Sequence, residues 1–415
     1  MSSALVSRWA RRTVAVGAFF LVAWQLVVLA ATAGAPGVGR SVGAHGFAPA
    51  VVLGLYGFVL HVVFGKAYSL VPAYFDHELA FARAPAVQLP LTAGGAALLA
   101  LSAAGVRPSG VDRFGGLDGV GAVLWAAGVA VFLGTLAWTV RTNPTGGETG
   151  TGEANAHRRG VDRAANAVVP AAFAYLAVGT YETLALATGM PTLFVAYAPQ
   201  ATHLLGAGFA ALVLFAVGFR LLPRFLVASP PRALVAVVLP AGALGPLLLA
   251  VGVLRRGPWF RTGAVLEATA VGGFALAYAV LFVRTDRDRV GFYGVLAGAA
   301  FGVVGVAVGL WFAFRGVDAS LTLAHRRSNL LGFLGLTIVG VAYQFYPPAV
   351  GRFPVAGDRT ALASMAVLAG GLGLEVLGLA AGAAGVVLAG AGATVTGAAA
   401  FAYLVLGLFV QRTGS

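Results

Sequence analysis

Apolar residues in this chain form long unbroken runs, separated by short polar segments, along the whole sequence. Each run is long enough to span, as a helix, the roughly 30 Å of hydrocarbon in a bilayer. The runs do not alternate between apolar and polar residues, which argues against a β-barrel. The pattern predicts one polytopic membrane domain over 1–415, with about twelve transmembrane helices at 13–34, 47–73, 86–106, 115–140, 165–188, 199–226, 232–254, 260–283, 290–314, 320–347, 360–380 and 386–410.

The first run is too long for the apolar core of a signal peptide and begins a series of similar runs, so we interpret it as a retained helix. If the N terminus is cytoplasmic, seventeen arginines lie in inner segments and nine in outer segments. Because cytoplasmic loops carry an excess of basic residues, this imbalance predicts a multi-pass protein of the cell membrane with both termini cytoplasmic.

Composition agrees with the bilayer as the main partner. Hydrophobic residues make up 59% of the chain and charged residues only 10%, too few to cover a water-facing surface. The net charge of +13 comes from loop arginines without interleaved aromatic residues, so we predict no nucleic-acid binding. The sequence contains no cysteine, which excludes disulfides and thiolate metal sites. Phosphate-loop, HExxH and dinucleotide-binding motifs are also absent from the sequence.

The longest connection, over residues 142–164, is rich in Gly, Thr, Glu and Asn. Such a composition cannot bury a core, so we expect a mobile cytoplasmic loop there.

A repeat links every fourth helix. Helices 2, 6 and 10 each contain Gly-Phe, an aromatic residue eleven positions after the glycine, and a proline fifteen positions after it. The glycine permits close helix packing and the proline ends a helix. Three matches in register predict an all-α fold of three four-helix units around a pseudo-threefold axis, at about 13–140, 165–283 and 290–410. The three blocks are Gly57-Phe58, Tyr68 and Pro72; Gly208-Phe209, Phe219 and Pro223; and Gly332-Phe333, Tyr343 and Pro347.

Ionisable residues within the predicted spans are candidate functional groups, because burial of charge in a bilayer is costly. His203 and His325 occupy equivalent places at the outer ends of helices 6 and 10. In helix 2, His45 lies just outside the outer end and His61 near mid-span. Neutral imidazole is the usual nitrogen ligand of haem iron and copper. We therefore predict a haem or copper centre using His203 and His325, with His61 as a further haem ligand and His45 as a further metal ligand. A hydrogen-bonded structural histidine is the alternative for each.

Four other ionisable residues form a predicted proton or ion path: Glu182, Glu267, Glu375 and Lys66. The glutamates could instead pair with one another or with Arg255, Arg256 or Arg261 as structural partners, and Lys66 could reach the cytoplasmic interface. Arg326 and Arg327 follow His325 directly. Since arginine binds carboxylates in a bidentate fork, they could pair with haem propionates, or anchor the helix at the interface.

The twelve helices, three repeats and histidines on helices 2, 6 and 10 resemble the large subunit of the haem-copper oxidases. Gly57-Phe58 with the segment 67–72 (AYSLVP) is similar to the helix end of the nitric oxide reductase branch. The layout also resembles the NnrS family of membrane haem proteins linked to nitric oxide. The resemblance implies haem b or copper. However, helix 7 lacks the copper-binding His-His pair and helix 10 has one histidine instead of two.

The incomplete histidine set implies at most one haem or one metal ion. Our leading hypothesis is a haem- or copper-binding protein in respiratory electron transfer or nitrogen-oxide metabolism, without full terminal oxidase activity. A respiratory-chain subunit or small redox protein would be its partner. The alternatives are a proton- or ion-coupled transporter, and a non-catalytic subunit or assembly factor of a respiratory complex. Whether the chain is an enzyme stays open at this point.

Overall fold

The computed structural model describes residues 2–35, 48–107, 116–253 and 257–413. Every regular element in this part of the chain is a helix, and twelve helices are long and apolar enough to cross a membrane. They are α1 (Ala4–Thr32), α2 (Pro49–Tyr74), α3 (Ala84–Ala103), α4 (Gly116–Thr139), α5 (Glu153–Thr188), α6 (Ala198–Leu226), α7 (Arg232–Gly252), α8 (Pro258–Arg284), α9 (Val290–Arg315), α10 (Ala319–Phe345), α11 (Asp358–Ala381) and α12 (Ala384–Arg412). The all-α fold with twelve crossings, predicted from the sequence, is confirmed.

The helices are arranged as a closed ring of four-helix sets. The third and fourth helices of each set pack side by side: α3 with α4, α7 with α8, and α11 with α12. Neighbouring sets meet through α4 and α5, through α8 and α9, and through α12 and α1. This arrangement is the expected one of three four-helix units, although the residue numbers given above for the unit boundaries stay a prediction.

The second helix of each set lies at the centre of the molecule. In α2, α6 and α10, 72–78% of the most apolar segment is buried, whereas in the other nine helices the share is 28–50%. The three central helices contact one another, and the outer nine expose their remaining surface where lipid would lie. Each central helix therefore contributes side chains to the interior on nearly all of its faces.

Each central helix contains a π-helical segment at its Gly-Phe pair. The segments are Val52–Val59 in α2, Leu204–Ala211 in α6 and Ser328–Leu336 in α10. Such wider turns are rare in proteins and are found mostly at functional sites. Their recurrence at one register position supports the threefold relation between the sets.

The repeated glycine of each block makes room for an aromatic ring of the preceding helix. A Cβ atom added at Gly57 would lie 2.6 Å from the ring of Phe20 on α1, and one at Gly208 would lie 2.5 Å from the ring of Tyr175 on α5. At Gly332, it would lie 2.4 Å from the Cβ atom of Phe301 on α9. The glycines therefore permit the first and second helices of each set to pack closely.

Residues 142–164, for which the composition suggested a mobile loop, are partly helical. Glu153–Arg158, the first part of α5, is a 3-10 helix that leads into the short helix Arg159–Ala167. The guanidinium of Arg220 on α6 holds the connection, because it donates hydrogen bonds to the carbonyl oxygens of Thr149 (2.7 Å) and Tyr74 (2.8 Å) and to Asn166 Oδ1 (2.5 Å). Composition alone missed this order because the partners are distant in sequence.

A candidate haem or metal site

A cavity of about 400 Å³ lies beside the first turns of α6, α8 and α10. With twelve crossings, both chain ends lie on one membrane face, so these even-numbered helices begin at the opposite face, which we call the far face. Apolar side chains such as Leu55, Val271 and Phe333 form most of the cavity wall. The polar lining consists of Tyr197, Thr202, His203, Glu267, Thr322, His325, Arg326 and Asn329.

His203 presents one ring nitrogen to this cavity. Its Nδ1 lies 2.7 Å from the carbonyl oxygen of Pro199, one helical turn earlier. A carbonyl oxygen only accepts hydrogen bonds, so Nδ1 carries the proton and Nε2 keeps its lone pair. Among the described residues, no hydrogen-bond partner is found for Nε2.

The ring of His325 is also held through Nδ1 by a backbone carbonyl, but this carbonyl belongs to a different helix, α9. Its Nδ1 donates to the carbonyl oxygen of Gly305 on α9, at 2.8 Å, so Nε2 is again the nitrogen with a lone pair. Asn329 Nδ2 donates to the backbone oxygen of His325, at 2.8 Å. A backbone carbonyl that fixes one ring nitrogen is the usual arrangement around a histidine whose other nitrogen binds a metal. The two imidazoles are close enough to interact electrostatically.

The start of α10 is fixed by a helix cap just outside the membrane-spanning segment. Asp318 Oδ1 accepts hydrogen bonds from Ser320 Oγ (2.5 Å) and from the backbone amide of Leu321 (3.0 Å). These hydrogen bonds, the one from Ser320 above all, hold the pKa of the Asp318 carboxyl below its ordinary value. The cap stabilises the turn that carries His325 into the cavity.

Glu267 is a buried carboxylate in the cavity wall. Its side chain is 7% exposed, and its Oε1 has no hydrogen-bond partner among the residues that the structure describes. Gly245 on α7 makes room for it, since a Cβ atom there would lie 2.7 Å from that oxygen. An unpaired buried carboxylate is costly, which makes Glu267 a candidate for holding a proton or a cation.

The adjacent arginines Arg326 and Arg327 point to different places. Arg326 lines the cavity. Arg327 turns away and forms a bidentate ion pair with Glu375 on α11, with Nε–Oε2 at 2.6 Å and Nη2–Oε1 at 2.7 Å. It also donates to Gln25 Oε1 at 2.8 Å. Neither Arg327 nor Glu375 therefore lines the cavity. Glu375 has a structural partner, but Arg327 is not one of the arginines that the sequence suggested for it.

His61 lies apart from the cavity, in a fully buried position between α2, α3 and α4. Its Nδ1 is 2.8 Å from the carbonyl oxygen of Tyr56, and its Nε2 is 3.1 Å from Thr92 Oγ1. The rings of Phe20, Phe64 and Trp125 surround it. With both nitrogens in hydrogen-bonding contact, His61 does not fit a haem ligand in this conformation.

Two further residues of the predicted site, Glu182 and Lys66, also lie apart from the cavity. Glu182 Oε1 accepts hydrogen bonds from the backbone amides of Leu193 and Phe194, both at 3.1 Å, and so holds the connection before α6. Lys66 lies near the opposite face and bonds to Tyr346 Oη. The predicted ligand His45 lies outside the described residues. The four residues predicted as a proton or ion path thus occupy four different environments.

Two histidines, His203 and His325, line this one cavity. In the described ranges, no three His, Asp or Glu side chains converge closely enough to hold a metal ion. Imidazole nitrogen is a usual ligand of haem iron and of copper. The sequence analysis missed Asn329. It also missed the glycines of α9, of which Gly309 leaves space for the His325 ring. The spacing of small residues along α9 was the only available signal.

Comparison with known proteins supports the fold alone. No family model matches the chain, and no curated protein matches it in sequence. Among solved structures, a heme-copper terminal oxidase dimer determined by cryo-EM matches with a TM-score of 0.61 and 13% identity. The match covers 97% of this chain and 83% of that one. The two chains share a fold. We therefore describe the protein as a membrane protein of oxidase-like fold.

Proposed function

We propose that this oxidase-like membrane protein binds a single haem or copper centre and acts in respiratory electron transfer or nitrogen-oxide metabolism, without full terminal oxidase activity. The observation that carries the proposal is the pair of imidazoles, His203 and His325, in one cavity with their Nδ1 atoms held by backbone carbonyls. They precede the repeat glycines Gly208 and Gly332 by five and seven residues, near the same ends of α6 and α10. Their Nε2 atoms are the ones that a metal would bind.

A bound haem or copper would supply one-electron chemistry at the cavity, and the chain's own residues would hold and tune it. His203 and His325 are the proposed ligands. Arg326 would pair with a carboxylate, such as a propionate of haem b, in a bidentate fork. Glu267 would hold a proton at its unpaired oxygen, and the apolar wall would exclude water. A full binuclear oxygen site would need histidines on helix 7 and a second one on helix 10, where the sequence has none.

The proposed membrane location and orientation follow from the distribution of arginines. We propose the cell membrane as the location, with both termini cytoplasmic, so that the cavity lies toward the outer face. Such a centre would exchange electrons with a respiratory-chain subunit or a small redox protein. The transporter alternative has less support, because Glu182, Glu375 and Lys66 lie apart from the cavity and from one another.

The test is the cofactor content of the purified full-length protein. We expect either a Soret band that shifts on reduction by dithionite, or copper at about one equivalent by elemental analysis. His203→Ala and His325→Ala should each lower this content at least tenfold. His157→Ala, in the first turn of α5 and away from the cavity, is the matched control and should leave it unchanged. Protein with neither chromophore nor copper after expression with haem and copper supplied would refute the proposal.

A further inference from the structure

A second cavity, of about 110 Å³, lies on the molecular axis where α2, α6 and α10 face one another. Its lining follows the repeat. The second, fifth, sixth, ninth, tenth and thirteenth residues after Gly57, Gly208 and Gly332 line it in all three helices. This cavity, which we call the axial bore, is therefore built into the threefold arrangement of the fold and is separate from the imidazole cavity.

The axial bore is long and narrow. Eleven residues separate the second from the thirteenth position, which corresponds to about 17 Å along a helix. The volume of about 110 Å³ is spread along this length, so the bore is narrow. The wall is almost entirely aliphatic, as in Val63, Leu214 and Ile338, which occupy the same position of the three helices. An apolar cavity of this kind favours an apolar guest over water.

One charged residue breaks the apolar pattern of the axial bore. At the ninth position, α6 has Val217 and α10 has Val341, whereas α2 has Lys66, the only lysine in the sequence. Its Nζ donates a hydrogen bond to Tyr346 Oη at 2.9 Å and lies 3.7 Å from the centre of the Phe345 ring. The ammonium group thus lies at the end of the bore nearest to the chain termini.

No carboxylate of the described residues pairs with this ammonium group. Two basic residues, Arg11 on α1 and Arg412 on α12, lie on the same side of the molecule as this group. A positive charge within a membrane span is costly and is usually paired with an anion. Lys66 therefore has a hydrogen-bond acceptor and aromatic contacts but no counter-ion from the protein.

We propose that the axial bore binds a single-chain carboxylate amphiphile, with its carboxylate on Lys66 and its alkyl chain along the bore. The carboxylate supplies the missing negative charge, beside Arg11 and Arg412. The alkyl chain lies along the aliphatic lining. A two-chain phospholipid would need a wider space than this narrow bore.

The test uses dodecanoate as the probe, on the full-length protein in nanodiscs of neutral phosphatidylcholine. We expect one dodecanoate per chain, and at least tenfold weaker binding of methyl dodecanoate, which lacks the charge. Lys66→Met should weaken dodecanoate binding at least tenfold. Val217→Phe should abolish binding with Lys66 intact, because the ring fills the bore. Val237→Phe, a similar change at a side chain that is 49% exposed on α7, is the matched control.

Several outcomes would overturn the proposal. Equal binding of methyl dodecanoate would show that charge is irrelevant, and unchanged binding by Val217→Phe would place the amphiphile elsewhere. Stoichiometric displacement by phosphatidylglycerol would identify a phospholipid as the occupant. If Lys66→Met does not fold, the comparison of dodecanoate with its ester in the unaltered protein still decides. Cofactor content is measured separately, so this result is independent of the proposed metal centre.

Discussion

At the scale of single residues, three buried glutamates on helices that the sequence predicts to reach the same membrane face have three different environments. Glu375 is neutralised by Arg327, Glu182 accepts two backbone hydrogen bonds, and Glu267 has an unpaired oxygen at a cavity. Sequence position could not separate them, because the partners come from other helices. Arg326 and Arg327 differ for a simpler reason: neighbours on a helix point about 100° apart.

The ion pair of Arg327 and Glu375 predicts an asymmetry between single and double substitutions. Arg327→Met leaves a buried carboxylate unpaired and should lower the free energy of unfolding by about 3–5 kcal/mol. Adding Glu375→Leu removes the stranded charge and should recover most of this loss. The measurement is the unfolding midpoint in mixed detergent micelles with increasing dodecyl sulfate. A double variant as unstable as the single one would contradict this account.

At the scale of elements, the spacing of glycine, aromatic residue and proline predicted which helices are equivalent, because these residues act locally on helix packing and helix ends. The π-helical segments at the same sites had no separate signal in the sequence. They depend on contacts with the surrounding helices, as at Gly208, where the ring of Tyr175 occupies the space of a side chain.

The close contact at Gly208 predicts that even one methyl group is too large there. Gly208→Ala should destabilise the protein by about 1–3 kcal/mol, the usual cost of overpacking. Gly272→Ala on α8 is the matched control, since a Cβ atom at that position meets nothing within 4 Å. It should be neutral or slightly stabilising, because alanine favours helices. The same micelle titration measures both, and equal stability of the two variants would contradict the packing role.

At the scale of the whole molecule, hydropathy predicted twelve crossings and the repeat predicted three sets of helices, since both depend on patterns that recur along the chain. The order of the connection before α5 depends instead on one arginine of α6 and its distant partners. The grouping of His203, His325, Arg326 and Glu267 in one cavity likewise required three-dimensional contacts, although the matched histidines pointed to the right helices.

The proposed orientation in the membrane predicts opposite accessibility of two connections. Because the sequence has no cysteine, single cysteines can be introduced without background. A membrane-impermeant maleimide added to intact cells should label Met190→Cys, before α6, and should not label Glu153→Cys, at the start of α5. Both should be labelled after the membrane is permeabilised. The reverse pattern in intact cells would place the termini outside.

The contacts of Arg220 impose an order on biosynthesis. The carbonyl groups that its guanidinium binds belong to Tyr74 at the end of α2 and to Thr149 in the connection before α5. Both residues leave the ribosome before α6, so α1 to α5 enter the membrane while this contact is still incomplete. Arrival of Arg220 completes it and fixes the earlier helices to one another. Insertion of α6 is thus the step at which the end of α2 and the connection after α4 gain the contact that joins them.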